Sequence, residues 1–127
     1  MADWVLDASA VLAVVLDEPG GELVRPLIAE SLLSAVNLVE VATRLLDFGF
    51  PSAEIGGRLE RLRFRVVPFD EGLALSASLL RVQTRHLGLS LGDRACLALA
   101  QRQGLPVLTA DRAWARLDVG VEVVLIR

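Results

Sequence analysis

Leu89-Ser90-Leu91-Gly92-Asp93-Arg94-Ala95-Cys96-Leu97-Ala98-Leu99-Ala100 reads as the start of a helix with a buried face. Ser90 suits the cap position, and an acid three residues later completes a capping pattern. Cys96, Leu97 and Ala100 follow Asp93 at plus three, plus four and plus seven, offsets that share one helical face. Asp93 therefore heads an otherwise apolar, inward-facing stripe. A carboxylate there must be paired, hydrogen-bonded, protonated or bound to a cation, because burying it bare is expensive. Gly104 stands where glycine ends a helix, and Pro106 to Thr109 follows as a strand.

Outward from this stretch, short strands alternate with helices. The pattern predicts strands at Asp3 to Leu6, Ser31 to Ser34, Arg65 to Pro68, Pro106 to Thr109 and Glu122 to Ile126. Between them it predicts helices from Ala8 to about Leu16, Glu22 to Glu30, Val36 to about Phe48, and Ser52 (as cap) to about Leu62. Further helices run from Asp70 (as cap) to about His86, from Ser90 to about Gln103, and over the short stretch Asp111 to about Arg116. No two strands are joined by a two-residue hairpin turn. This is the pattern of an α/β domain, a mostly parallel sheet of about five short strands covered by helices on both faces. Residues 1–127 read as one domain, with no internal repeat, low-complexity tract or linker.

Composition narrows the function classes. All thirteen basic residues are Arg, so a phosphate-loop lysine, a Schiff base and a lysine general base are excluded. Net charge is −3, which argues against a global basic surface and leaves room only for a local Arg rim. No apolar run reaches the eighteen or so residues of a membrane span, and no basic region precedes the first apolar run as in a signal peptide. A single cysteine, Cys96, rules out a disulfide within the chain and reads as a buried structural thiol. Together these fit a cytoplasmic protein.

In open parallel sheets, ligands bind beyond the carboxyl ends of the strands. Asp7 follows the first predicted strand and Asp111 the fourth; Glu40 lies early in the helix after the second strand, and Asp93 opens the central helix. Each has an ordinary reading. Asp7 and Asp111 can cap the helices they precede, Glu40 can pair with Arg44 four residues on, and Asp93 can complete a capping box. If all four converge, a cation is required: two charges ~4 Å apart repel by about 4 kcal/mol at an effective dielectric of 20. Oxygen ligands select Mg²⁺ or Mn²⁺ over zinc, and with one His (His86) and one Cys there is no zinc pattern to compete. His86 falls at a helix end, where a cationic imidazole suits the dipole. Such a carboxylate cage is an apparatus for phosphodiester hydrolysis, in which bound metal generates hydroxide and stabilises the leaving oxygen.

Four pieces carry a family resemblance: Val5-Leu6-Asp7-Ala8-Ser9-Ala10, Asn37-Leu38-Val39-Glu40-Val41, the stretch from Leu89 to Ala100, and Val107-Leu108-Thr109-Ala110-Asp111-Arg112. In this order and spacing they resemble the PIN-domain ribonucleases, and within them the toxin subunits of VapBC-type toxin–antitoxin systems. The resemblance implies a PIN-like fold and Mg²⁺- or Mn²⁺-dependent endonucleolytic cleavage of RNA. It implies Asp7, Glu40, Asp93 and Asp111 as the catalytic and metal-binding acids. It suggests Ser9 and Thr109 as supporting hydroxyls; Asp118, seven residues beyond Asp111, falls where some family members carry a further acid or amide, the alternative being an ordinary surface Asp. It also implies a homodimer and an antitoxin protein that covers the site with a basic side chain. Arg94, Arg112 and Arg116 fall near the acids and are candidates for a rim that meets RNA phosphate; the alternative is that Arg94 and Arg112 pair with neighbouring acids.

Other readings stay open at this level. A non-toxin PIN-type nuclease, a DNA nuclease or a Mg²⁺-dependent phosphatase could use the same cage. A non-catalytic α/β binding module would use the acids only as caps and ion pairs. A phosphoacceptor receiver domain is opposed by the absence of Lys and of an acidic pair at the end of the first strand.

Overall fold

The computed structural model describes residues 1–127. Five parallel strands, β1 (Trp4–Leu6), β2 (Ser31–Ser34), β3 (Arg65–Val67), β4 (Val107–Thr109) and β5 (Val123–Leu125), lie in the order β3-β2-β1-β4-β5. β1 is the centre: Val5 registers with Leu32 on one side and Val107 on the other. The chain adds β2 and β3 to one side of β1, then returns to add β4 and β5 to the other. The order therefore reverses between β1 and β4, which opens a crevice beyond their carboxyl ends.

Alternation along these short strands divides the core in two. Leu6, Leu33 and Leu108 face α1 (Ala8–Val15), α2 (Gly21–Val24), α3 (Ala35–Asp47) and α4 (Ser52–Glu60). Val5, Leu32 and Val107 face α5 (Glu71–Thr84) and α6 (Leu91–Gln103), with Trp114 closing that side. Both faces are covered, so the strands carry apolar residues at successive positions rather than in alternation with polar ones.

The central helix follows its sequence closely. Ser90 and Asp93 form a reciprocal capping box, each side chain accepting from the other's backbone N–H at 3.1 and 3.0 Å. Gly104 ends α6 at a φ of 66°, a left-handed conformation that costs glycine nothing. Cys96, Leu97 and Ala100 are buried as the stripe requires. Asp70 caps α5 through the Leu73 amide and also forms a bidentate pair with Arg102 of α6 at 2.7 and 2.8 Å.

Three expected elements differ. The helix expected at Glu22 to Glu30 is only α2, continued by a 3₁₀ turn over Arg25–Glu30, because Pro26 has no N–H to extend an α-helix. Ser52 is the first residue of α4 rather than its cap; Pro51 holds the cap position without a side-chain bond, and α4 ends at Glu60, before a left-handed Arg63. The segment after Asp111 is a 3₁₀ turn over Arg112–Arg116.

Candidate active site

The crevice between β1 and β4 is built on Asp7. Asp7 occupies the cap position of α1, yet its side chain caps nothing. Its Oδ2 accepts hydrogen bonds from Ser9 Oγ at 2.8 Å and from Thr109 Oγ1 at 2.9 Å. Each hydroxyl is aimed by a backbone amide behind it: Ala110 N–H donates to Ser9 at 2.9 Å, and Asp111 N–H to Thr109 at 3.0 Å. The expected supporting hydroxyls thus sit against Asp7 and bind the start of α1 to the end of β4. Asp7 is only 7% exposed. Burial pushes its carboxyl up from 3.8 to about 6, against the pull of the Ser9 and Thr109 hydroxyls and with a further push from the Asp93 charge.

Among the four acids, Asp7 is thus the buried one; Asp93, expected to face inward, is only part-buried at the first turn of α6. Asp93 Oδ2 is taken by the Ser90 amide. Glu40 is exposed on α3 and does not pair with Arg44, which stacks on Phe48 at 5.5 Å instead. Glu40 Oε1 accepts from Asn37 Nδ2 at 2.7 Å. Asp111 is exposed and uses Oδ1 to cap its own turn at the Ala113 amide, 3.0 Å away. Glu40, Asp93 and Asp111 therefore each commit one oxygen to a local hydrogen bond, and Asp7 commits Oδ2 to both hydroxyls.

Three of the acids meet electrostatically around Cys96. The thiol is fully buried beneath the crevice, where Sγ lies 3.6 Å from the Leu6 carbonyl. Burial pushes the thiol far up, and the charges of Asp7, Asp93 and Glu40 push it further. No group of three His, Cys, Asp or Glu side chains yet converges to ligating distance of one point. The donor set still fits a hard divalent cation. It is all oxygen, Glu40, Asp93 and Asp111 each engage only one carboxylate oxygen in a hydrogen bond, and it includes a buried carboxylate that is unfavourable as a bare anion.

The remaining candidates separate. Arg94 is turned away from the acids: Nη1 donates to the Ala77 carbonyl of α5 at 3.0 Å, and Nε is buried without a partner. It pairs with no acid and is not part of an exposed rim. Arg112 and Arg116 are exposed and form no ion pair, as are Asp118 and His86. Two residues of the site carried no role in the sequence reading. Asn37 is fully buried and bridges Glu40 to the Gly92 carbonyl, 3.0 Å away. Gly92 leaves room for the Glu40 carboxylate, which any Cβ there would strike. An Asn one turn before an acid, and a Gly directly before the next acid, were the available signals.

The PIN domain family profile matches residues 4–120. The chain belongs to the PIN-domain family. This PIN domain is 30% identical to "Ribonuclease VapC" of Mycolicibacterium smegmatis (strain ATCC 700084 / mc(2)155) over 124 residues, 91% of this chain and 96% of that protein. Its fold matches a chain of the DNA-bound VapBC structure from Salmonella typhimurium with a TM-score of 0.78 at 18% identity, all of both chains being covered. It matches a toxin–antitoxin complex from Klebsiella pneumoniae with a TM-score of 0.76 at 19% identity, over 100% of this chain and 98% of the other. The five-stranded parallel sheet of this PIN domain, with its flanking helices, is thus the fold of VapC toxin structures.

Proposed function

We propose that this PIN domain is a Mg²⁺- or Mn²⁺-dependent endoribonuclease, the toxin of a type II toxin–antitoxin pair, acting in the cytoplasm. The observation that carries the reading is Asp7. A carboxylate is buried at the switch point of the sheet, held by two hydroxyls that cap no helix, and pushed up by burial and by a neighbouring acid. A module using its acids only as caps has no need of that cost. The kinship with a protein named Ribonuclease VapC supports RNA as the substrate class.

Asp7, Glu40, Asp93 and Asp111 would hold the ion, through the oxygens their local hydrogen bonds leave free. When bound, Mg²⁺ or Mn²⁺ supplies an activated water and neutralises charge on the phosphodiester. Ser9 and Thr109 keep Asp7 in one orientation, so little reorganisation is needed when the site is loaded. Arg112 and Arg116, exposed and unpaired beside Asp111, are the phosphate-binding rim. Arg94 has no part in that rim.

Two protein partners belong to the reading. The antitoxin, supported by the VapBC complexes among the structural neighbours, covers the acids and presents a basic side chain to them. A second copy of the chain packs on the outer face of α5. Leu75, Leu79 and Val82, at plus four and plus seven, are 60, 69 and 73% exposed there, more than an isolated surface side chain explains.

The test is RNA cleavage by antitoxin-free protein, with and without Mn²⁺, beside Asp7→Asn. Metal-dependent internal cleavage that falls by more than about a hundredfold in the variant, beyond the usual effect of losing an outer partner, supports the reading. Hydrolysis of phosphomonoesters but not RNA would favour a phosphatase. Inactivity on both, with no response to metal, would leave a binding module.

A further inference from the structure

Asn37 is a buried polar side chain that the acids' own roles leave unexplained. It lies on α3 one turn before Glu40 and is inaccessible to solvent. Its Nδ2 donates twice, to Glu40 Oε1 at 2.7 Å and to the Gly92 carbonyl at 3.0 Å. One amide therefore ties the acid of α3 to the first turn of α6. Its Oδ1 has no partner. A buried amide oxygen left unpaired is costly, so an apolar residue at 37 would pack at lower cost. What Asn37 uniquely supplies is its pair of N–H donors.

The receiving surface is shaped to match. Glu40 is otherwise exposed, and a free glutamate in solvent samples many rotamers. Here its carboxylate rests on the backbone of Gly92, in space that any other residue would fill with a Cβ. That place lies at the N-terminus of α6, where the helix dipole favours negative charge, and directly before Asp93.

We propose that Asn37 is a positioning residue of the carboxylate site, clamping Glu40 onto the seat formed by Gly92 so that it stands beside Asp93. What the clamp serves rests on the metal-dependent nuclease reading; the clamp itself does not. Loss of the clamp removes no acid from the chain and yet weakens the site, because Glu40 is no longer held.

The experiment is a double-mutant cycle read by Mn²⁺ affinity, using electron paramagnetic resonance titration of the whole chain, with melting curves as a check of folding. Asn37→Ala is expected to raise the Mn²⁺ Kd about tenfold, the scale of losing an outer partner of a metal ligand. Gly92→Ala, which evicts the Glu40 carboxylate by another route, is expected to do the same. In a Glu40→Gln background, Asn37→Ala is expected to add less than about twofold, since the interaction is already spoiled. Equal losses in both backgrounds, or none in either, would show that Asn37 only packs and would overturn the proposal. A second measurement needs no metal: the Asn37 side-chain amide resonances are expected to shift in Glu40→Gln, and unshifted resonances would also overturn it. If wild type and Glu40→Gln alike bind no Mn²⁺ while those resonances shift, the nuclease reading falls and the clamp stands.

Discussion

Asp7 is where burial and charge disagree most. Its carboxyl is raised from 3.8 to about 6 in the folded chain, so the native state holds that proton more tightly than the unfolded one. The associated stability is fully present below about pH 4 and is lost as the pH rises to about 6. By linkage the loss reaches up to about 3 kcal/mol in metal-free protein. Asp7→Asn, with an amide oxygen still able to accept from Ser9 and Thr109, is expected to melt above the wild type at pH 7 without metal. The gap should close near pH 4, and Mn²⁺ should reverse the order at pH 7. A scan of melting temperature against pH, with and without Mn²⁺, checks all three. The sequence reading placed all four acids near the crevice but expected Asp93 to be the inward one. Asp93 lies in the first turn of a helix, a position open at its end. Asp7 is covered because Ser9 and Thr109 close over it, and Thr109 lies 102 residues away, beyond the reach of local patterns.

At the scale of elements, the parts whose chemistry is local were legible. The capping box of Ser90 and Asp93, the cap of Asp70 and the stop at Gly104 each depend on residues within one turn. Ser90→Ala removes an N-cap and is expected to cost about 1 kcal/mol, read from denaturant unfolding. The bond lost is the one from the Asp93 backbone N–H, while the Ser90 N–H that holds the Asp93 carboxylate remains, so Mn²⁺ affinity is expected to change little. The pair between Asp70 and Arg102 holds Asp70 down at about 2, so its stabilising effect is present above about pH 4 and fades as the pH falls toward 2. Its exposure makes that effect small and sensitive to salt. What could not be read locally was the fate of Arg94, whose carbonyl partner lies on α5, and the outward face of α5 itself. Leu79→Arg is expected to leave the fold intact and to shift sedimentation toward the monomer. A dimer that persists would remove α5 from that interface.

For the whole molecule, the alternation of strands and helices was enough to foresee a parallel sheet, and the positions of the five strands were close. The order β3-β2-β1-β4-β5 was not written in any single segment, because it depends on which side of β1 the chain returns to. That return makes the crevice, and a ligand bound there draws on α1, α3, α6 and β4 together. Divalent metal is therefore expected to stabilise the entire fold: at a hundred times its dissociation constant it should add about 2.7 kcal/mol, read as a rise in melting temperature that Asp93→Asn largely abolishes. The same arrangement places the chain's one thiol under the crevice, with no path to solvent while the domain is closed. Cys96 is thus a clock for opening. A thiol reagent can modify it only in molecules that have come apart around β1 and α6, so the labelling rate counts those openings. A cation held by the acids should slow that clock by the factor it adds to stability, and an antitoxin seated over them should slow it further, with neither touching the sulfur.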